Sequence, residues 1–303
     1  MSMKKRWLLA SRPKTLPAAI SPVLVGWAVA LSVQHARTGS LAGFPLLPAL
    51  LTLLIAVLIQ IVANLVNDVS DYEKGADAGE RLGPLRVTQA GLITPRQMWV
   101  AALLLLAVAA AAGVYLVFVA GWPVLLIGAA CMAGAVFYSV GRYSFSATGL
   151  GDLFATLFFG FGAVCGTVYV LTGTAPLLAW ASALPVGLLV TAILVVNNIR
   201  DEENDRKAGR RNIPVRFGRK AGEIEYTCLL AAAYLLSVGV AAAAGSGWVL
   251  LVWLSLPSAI KLRRNLIAEP VGPRFNQFLA QTARITLIYS LLLCAGILLG
   301  IWF

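Results

Sequence analysis

Acidic side chains are concentrated in two short stretches of a chain that carries few other charges. Only 13 of the 303 residues are Asp or Glu, yet NDVSDYEKGAD and NNIRDEENDRKAG each follow a long apolar segment. In both stretches an asparagine stands four residues before an aspartate, Asn67 before Asp71 and Asn197 before Asp201. Residues four apart share one face of a helix, so each stretch presents an amide and a carboxylate together, and Asp205 extends the second face by a turn.

Aligned carboxylates repel one another, and at a membrane surface of reduced dielectric this repulsion amounts to kilocalories unless a cation offsets it. Mg²⁺ prefers hard oxygen ligands, is usually held by one or two carboxylates, and completes its coordination with water and phosphate oxygens. The two stretches therefore predict a clamp for a diphosphate and Mg²⁺, or Mn²⁺ in its place. The alternative is that they are solvated charges that cap helices; two matching clusters favour the metal.

Basic residues accompany both acidic stretches and would suit the diphosphate, because arginine binds phosphate oxygens through two parallel hydrogen bonds. Arg86 follows a Gly-Pro turn, and Arg142 is the only basic residue of a short loop, which favours a direct contact for these two. The alternative for every basic residue here is a role in membrane topology or in lipid headgroup contact. The set comprises Arg12, Lys14, Arg81, Arg86, Arg142, Lys207, Arg210 and Arg211.

The composition places these stretches in an integral membrane protein. Hydrophobic residues make up 59% of the chain and charged residues 12%, with a mean hydropathy of +0.84, which excludes a water-soluble globular domain. Crossing a bilayer takes about 20 apolar residues. We predict an all-α bundle of nine transmembrane helices in one domain over 1–303, with the first motif at 64–77 and the second at 197–205. The predicted spans are 15–33, 46–66, 98–119, 123–140, 149–171, 177–196, 226–244, 247–260 and 285–302.

The basic residues predict the orientation, because positively charged loops stay on the cytoplasmic side. With nine spans and a cytoplasmic N-terminus, 23 of the 24 lysines and arginines fall inside and only Arg37 falls outside. Both acidic stretches then face the cytoplasm, at the ends of even-numbered helices, and the protein lies in the cell inner membrane. The net charge of +11 suits anionic lipid or anionic substrates better than nucleic acid. The four cysteines lie in apolar spans without metal-ligand spacing, and His35 is the only histidine.

Four stretches resemble the UbiA superfamily of intramembrane prenyltransferases, most closely its branch of 1,4-dihydroxy-2-naphthoate polyprenyltransferases in menaquinone synthesis. They are SRPKTLPAAISPVLVG, NDVSDYEKGAD with RLGPLRVTQAGLI, YSVGRYSFSATGLGD, and NNIRDEENDRKAGRRNIPVRFG, and they cover roughly 11–218. The resemblance implies transfer of a polyprenyl chain from its diphosphate to dihydroxynaphthoate, with loss of CO₂. One departure is Gly75, where many relatives have a third acid; Asp77 is expected to serve instead.

The resemblance also implies roles for individual residues. The predicted catalytic residues are Asp68, Asp71, Asp201 and Asp205. The predicted metal ligands are Asn67, Asp68, Asp71, Asp77, Asn197, Asp201 and Asp205. The predicted diphosphate-binding residues are Arg12, Lys14, Arg86, Tyr138, Arg142 and Lys207.

Two alternative functions stay open on the sequence alone. One is a UbiA-type enzyme with another aromatic acceptor, such as 4-hydroxybenzoate. The other is a cation-coupled membrane transporter, since acids inside membranes also mark ion pathways. Against a transporter, the acids lie at helix ends on one side, and only Asp152 is a candidate for the middle of the membrane.

Overall fold

The computed structural model describes residues 1–75, 82–141 and 143–302, and within these ranges the chain forms helices and no β-strand. Two 3₁₀ helices, Pro13–Thr15 and Gly247–Ser255, and one π-helix, Thr156–Cys165, join the α-helices. The α-helices are α1 (Met3–Ser11), α2 (Pro17–Thr38), α3 (Leu46–Glu73), α4 (Pro95–Ala120), α5 (Pro123–Phe137), α6 (Phe145–Thr148), α7 (Gly151–Ala155), α8 (Gly166–Thr172), α9 (Leu177–Arg200), α10 (Glu202–Lys207), α11 (Ile213–Phe217), α12 (Arg219–Ala244), α13 (Leu256–Ala268) and α14 (Phe275–Leu299).

Seven helical segments in the described ranges are long and apolar enough to cross a membrane. Six are α2, α3, α4, α9, α12 and α14, and the seventh is the continuous Gly151–Thr172. The predicted fourth span is α5, whose 15 residues cover about 22 Å at 1.5 Å per residue. The predicted eighth span is a 3₁₀ helix that becomes α13 near Pro257. An all-α membrane protein is thus confirmed, while the number nine stays a prediction.

Helix α9 is the centre of the larger part of the bundle. In the most apolar stretch of 18 residues in α9, 72% of the residues are buried, against 17% in the corresponding stretch of α4. It packs against α12, α14, α2 and the π-helix. The contact with the π-helix brings the two backbones together: a Cβ on Gly187 would lie 2.8 Å from the Thr156 carbonyl oxygen and 3.0 Å from the Gly160 Cα.

A second, smaller core joins α3 to α1 and α4. It is built from the buried side chains Ala10, Val62, Leu65, Val66, Val69, Val87, Ile93, Met98 and Ala102. Val87 and Ile93 belong to the connection between α3 and α4, so these two residues of the connection are packed into the core.

The first acidic motif lies on α3 as far as Glu73, and the second lies on α9 and α10 with Asp201 between them, whereas both were expected in loops. Helix α3 continues from the predicted end at 66 to Glu73, because its polar residues there find partners inside the protein. Helix α9 ends at Arg200, and Asp201 leaves helical geometry with φ −98° and ψ 11°. The i to i−4 pattern nevertheless continues, since Asp201 N donates to Asn197 O at 3.0 Å and Asp205 N to Asp201 O at 2.8 Å. The predicted face of Asn197, Asp201 and Asp205 is therefore preserved.

We predict that Gly187→Ala destabilises the protein by about 1–3 kcal/mol, because the added methyl group meets backbone atoms that cannot rotate away. The matched control is Gly239→Ala in α12, where a Cβ would meet nothing within 4 Å. Thermal unfolding in detergent should show a Tm below that of the wild type for Gly187→Ala and no decrease in Tm for the control. Equal Tm values for the two variants would contradict the backbone contact.

Candidate active site

Asp68 connects the end of α3 to the segment that follows. Its side chain is 2% exposed. The two carboxylate oxygens accept hydrogen bonds from the backbone N–H groups of Val87 and Thr88, each at 3.2 Å. Nη2 of Arg12 lies 4.0 Å from the same carboxylate. Through these two hydrogen bonds Asp68 anchors the backbone at Val87 and Thr88 to the end of α3.

Arg86 directly precedes this anchored backbone and contacts the polar residues at the end of α3. The side chain is 3% exposed. Its Nη1 donates to Asn67 Oδ1 at 2.8 Å, and its Nη2 forms a short ion pair with Asp71. One arginine therefore holds the amide and the carboxylate that the spacing placed on a common face.

Lys74, directly after α3, contacts the chain that follows α5. Its Nζ donates to the carbonyl oxygens of Ser139 at 2.6 Å and Gly141 at 3.2 Å. Burial lowers the pKa of Lys74, against the opposing effect of the Asp71 carboxylate. Asn67 contacts the same region, since its Nδ2 donates to Ser139 Oγ at 3.1 Å. The chain after α5 is thus tied to the first acidic motif.

The second motif has an arginine of its own. Arg200 donates to both carboxylate oxygens of Asp201, from Nε at 2.9 Å and from Nη2 at 2.6 Å. Nη2 also donates to Asn197 Oδ1 at 2.6 Å, and Nη1 to Asn276 Oδ1 at 2.9 Å. Nδ2 of Asn276 donates to the Leu82 carbonyl oxygen at 2.7 Å. Helix α14 and the chain before Arg86 therefore both reach the second motif.

Arg210 joins the two motifs directly. Its Nη1 donates to Asp205 Oδ1 at 2.9 Å, and its Nη2 forms a short ion pair with Asp71. The other oxygen of Asp205 accepts from Asn212 Nδ2 at 2.7 Å. Burial raises the pKa of Asp205 to about 6, against the opposing effect of Arg210. The two acidic motifs, far apart in sequence, therefore form one site around a shared guanidinium group.

A cavity of about 340 Å³ adjoins this site, a volume typical of small-molecule pockets. Along α3 its lining runs from Thr52 to Asn67, about 22 Å of helix at 1.5 Å per residue. The polar lining at the acidic motifs is Arg12, Asn67, Arg86, Tyr138, Asn197 and Arg210. The apolar lining includes Leu116, Val124, Ile127, Met132, Phe158 and Phe159. The cavity therefore offers cationic donors beside an apolar interior.

The structure separates the predicted diphosphate-binding residues into groups. Arg12, Arg86 and Tyr138 line the cavity. Lys14 and Lys207 lie on the exposed surface and do not line it. Asp77, Arg81 and Arg142 lie outside the described residues.

Sequence reasoning missed four contributors to the site: Lys74, Arg200, Asn212 and Asn276. It included Arg210 only among the basic residues beside the acidic stretches. Arg200 stands directly before Asp201, a signal that was available, but neighbours in sequence do not share a helix face. Asn276 carried no local signal, because only the packing of α14 brings it to the site.

The model of the UbiA prenyltransferase family matches residues 18–268. The chain belongs to this family. A protein of Escherichia coli (strain K12) named 1,4-dihydroxy-2-naphthoate octaprenyltransferase is 34% identical, over 100% of this chain and 98% of its own length. A protein of the same name from Mycobacterium tuberculosis is 31% identical, over 99% of each chain. The resemblance identified from the motifs is confirmed.

Solved structures of UbiA homologues share the fold of this UbiA family chain. A UbiA homolog from Archaeoglobus fulgidus bound to GPP and Mg²⁺ superposes with a TM-score of 0.69 at 19% identity, covering 96% of this chain and 99% of that one. The apo structure of a UbiA homolog from Aeropyrum pernix K1 gives a TM-score of 0.68 at 20% identity, covering 99% and 98%. At these identities the likeness concerns the fold.

The donor set of this UbiA family site suits a divalent cation. Both motifs supply carboxylate and amide oxygens, which are the hard ligands that Mg²⁺ prefers. Within residues 1–75, 82–141 and 143–302, no three acidic, histidine or cysteine side chains gather into a metal site by themselves. The carboxylates instead face arginines, so a cation and these guanidinium groups would neutralise the same charges.

We predict that Arg210→Gln lowers the free energy of unfolding by about 3 kcal/mol, because Asp71 and Asp205 each lose a cationic partner while buried. Mg²⁺ with inorganic diphosphate should restore part of the lost Tm, and should raise the Tm of the variant more than that of the wild type. The measurement is thermal unfolding in detergent, with and without these ions.

The control for this prediction is Arg206→Gln on the neighbouring helix α10. Arg206 forms an exposed i,i+4 ion pair with Glu202 at 2.7 Å, and such pairs contribute little to stability. If Arg210→Gln and Arg206→Gln unfold at the same temperature, Arg210 does not connect the motifs energetically.

Proposed function

We propose that this chain transfers a polyprenyl group from a polyprenyl diphosphate to 1,4-dihydroxy-2-naphthoate, with loss of the ring carboxylate as CO₂, giving demethylmenaquinol, the reduced form of demethylmenaquinone. The observation that carries the proposal is the cavity, which has arginines of both motifs at its polar part and apolar side chains along the rest. Full-length relatives that bear the corresponding name support the choice of acceptor.

The polar part of the site would hold the diphosphate. Arg12, Arg86 and Arg210 line the cavity and now face carboxylates, so diphosphate oxygens would compete for the same donors. Arginine suits this exchange because its fork fits carboxylate and phosphate equally. The residues proposed to hold Mg²⁺ or Mn²⁺ are Asn67, Asp68, Asp71, Asp77, Asn197, Asp201 and Asp205. When bound, the cation supplies charge neutralisation of the leaving diphosphate.

The apolar part of the cavity would hold the prenyl chain and exclude water. Breaking the allylic C–O bond leaves positive charge on carbon, and water in the site would add to that carbon in place of the acceptor. Phe154, Phe158 and Phe159 line the cavity, and the faces of aromatic rings stabilise cations. The same walls therefore bind the chain and protect the reacting carbon until the electron-rich naphthoate ring attacks it.

The location of the site supports nine membrane crossings with a cytoplasmic N-terminus. Arg210 pairs with Asp71 at the end of α3 and with Asp205 of α10, which directly follows α9, as expected when α3 and α9 end on the same side of the membrane. Helix α5 and the combined Gly247–Ala268 segment would add two crossings to the seven long ones. The distribution of basic residues supports a site on the cytoplasmic side, in the cell inner membrane.

We predict that the purified protein forms a prenylated and decarboxylated product from dihydroxynaphthoate only when a suitable divalent cation is present. EDTA should stop the reaction, and Mg²⁺ or Mn²⁺ should restore it better than Ca²⁺, whose longer bonds position a diphosphate less well. Mass spectrometry should identify the product from a panel of acceptors that includes 4-hydroxybenzoate. Full activity in metal-free buffer would contradict the role of the motifs, and exclusive use of another acceptor would reassign the substrate.

We predict that Asp71→Asn and Asp201→Asn each reduce turnover by about 100-fold or more, because the amide keeps the shape and removes the charge. Steady-state rates should be compared in membranes with matched protein levels. Glu203→Gln is the control, because it removes an exposed carboxylate from the same acidic stretch. Turnover of either aspartate variant at the level of this control would refute the two-motif site.

A further inference from the structure

Asp152 is a carboxylate in the cavity wall that the acidic motifs do not include. It lies in the first turn of α7 and is the only acidic residue among those lining the cavity in the described ranges. Nδ2 of Asn198 lies 3.4 Å from its Oδ1. Within the described part of the chain it forms no ion pair with lysine or arginine, unlike Asp71, Asp201 and Asp205. Its oxygens therefore remain able to accept from a ligand.

A second acidic side chain lies near Asp152. Glu225 of α12 lies within electrostatic reach, and its Oε2 is buried without a hydrogen-bond partner. An acidic side chain inside a membrane bundle is costly unless a donor satisfies it, and such residues usually serve a function. This arrangement would be explained by a ligand that brings a hydrogen-bond donor to Asp152.

An independent sign of such a ligand comes from Gln60 of α3, which lines the same cavity. Gln60 is 8% exposed and lines the same cavity, and its Oε1 has no hydrogen-bond partner. The amide orientation is determined by Asn64: its Nδ2 donates to the Ser11 carbonyl oxygen at 2.9 Å, which leaves its Oδ1 for Gln60 Nε2 at 3.4 Å. Gln60 Oε1 is thus a buried acceptor in the cavity wall without a partner.

Asp152 lies next to the polar part of the site, where the allylic carbon would react. A Cβ on the preceding residue, Gly151, would be 3.1 Å from the Tyr138 hydroxyl oxygen. Asn198, its hydrogen-bond partner, follows Asn197 of the second motif. The cavity near Asp152 is aromatic, with Phe154 and Phe158 in the wall. These features suit an aromatic ring whose hydroxyl groups are its donors.

We propose that Asp152 is the general base of the reaction and takes the proton from a ring hydroxyl of the acceptor, while the Gln60 carbonyl accepts from the other hydroxyl. This inference rests on the proposed function. As the O–H bond breaks, its electron pair moves into the ring, and the adjacent ring carbon, which bears the carboxylate, forms a bond to the prenyl carbon whose C–O bond to diphosphate breaks. The carboxylate then leaves as CO₂, its electron pair restores the aromatic ring, and Asp152 returns the proton to the ring oxygen.

The test is the steady-state kinetics of Asp152→Asn in membranes with matched protein levels. We expect kcat to fall by about 100-fold or more, as for other general bases, while the KM for the prenyl diphosphate stays within twofold of wild type. Raising the pH should recover activity in this variant, because an acceptor already ionised in solution needs no base. Glu203→Gln serves again as the control outside the cavity.

A second variant tests the same role in case Asp152→Asn does not fold. Asp152→Ala leaves space in which added formate, a small carboxylate, can act as the base, so formate should increase its turnover and leave that of Asp152→Asn unchanged. Gln60→Leu should raise the KM for the acceptor and not that for the prenyl diphosphate. Thermal unfolding in detergent confirms that each variant is folded.

The outcomes separate this inference from the proposed function. If the wild type forms no prenylated product, the proposed function itself fails. If the wild type is active and the kcat of Asp152→Asn falls by less than 100-fold, Asp152 is not the base. Asp152 is also not the base if kcat falls by more than this and does not recover at higher pH. The same conclusion follows if Asp152→Asn does not fold and formate does not rescue Asp152→Ala.

Discussion

The shared ion pairs of Arg210 with Asp71 and Asp205 are the interaction on which the site depends. Each carboxylate comes from a different helix end, and each is almost fully buried. A buried carboxylate requires a partner, since removing it from water without compensation costs several kcal/mol. The arginine meets this requirement for both carboxylates at once, so the ends of α3 and α10 must lie close together.

The rest of the site is arranged around the same requirement. Arg86 reaches Asp71 because Asp68 holds the backbone of the segment that carries it. Arg200 compensates Asp201 and extends the network to α14 through Asn276. A polar layer of this kind can be rearranged without exposing the apolar interior, because phosphate oxygens and cations can replace the present partners charge for charge. Binding of an anionic substrate is therefore compatible with the packing of the bundle.

The helix contacts show how an apolar bundle can still enclose a cavity. Without a hydrophobic difference between lipid and side chain, membrane helices associate through close packing, which small residues permit. Gly187 and Gly160 bring α9 and the π-helix into backbone contact on one side. The π-helix faces the cavity with Phe158 and Phe159, and π-helical turns frequently occur at functional sites. Tight packing on one face thus leaves the other face available for a ligand.

The sequence by itself determined the class of protein, the helical architecture and the two acidic motifs, because hydropathy and i,i+4 spacing are local properties. It also pointed to Arg12 and Arg86 and, through the motifs, to the family. It placed the motifs in loops, although Asp68 and Asp71 extend α3, because the partners that stabilise those turns are distant in sequence. Only the tertiary structure decided that Arg210 joins the motifs, that Asn276 reaches them, and that Asp152 and Gln60 line one cavity. These contacts depend on how the helices pack, and a local pattern does not encode the distance between residues on different helices.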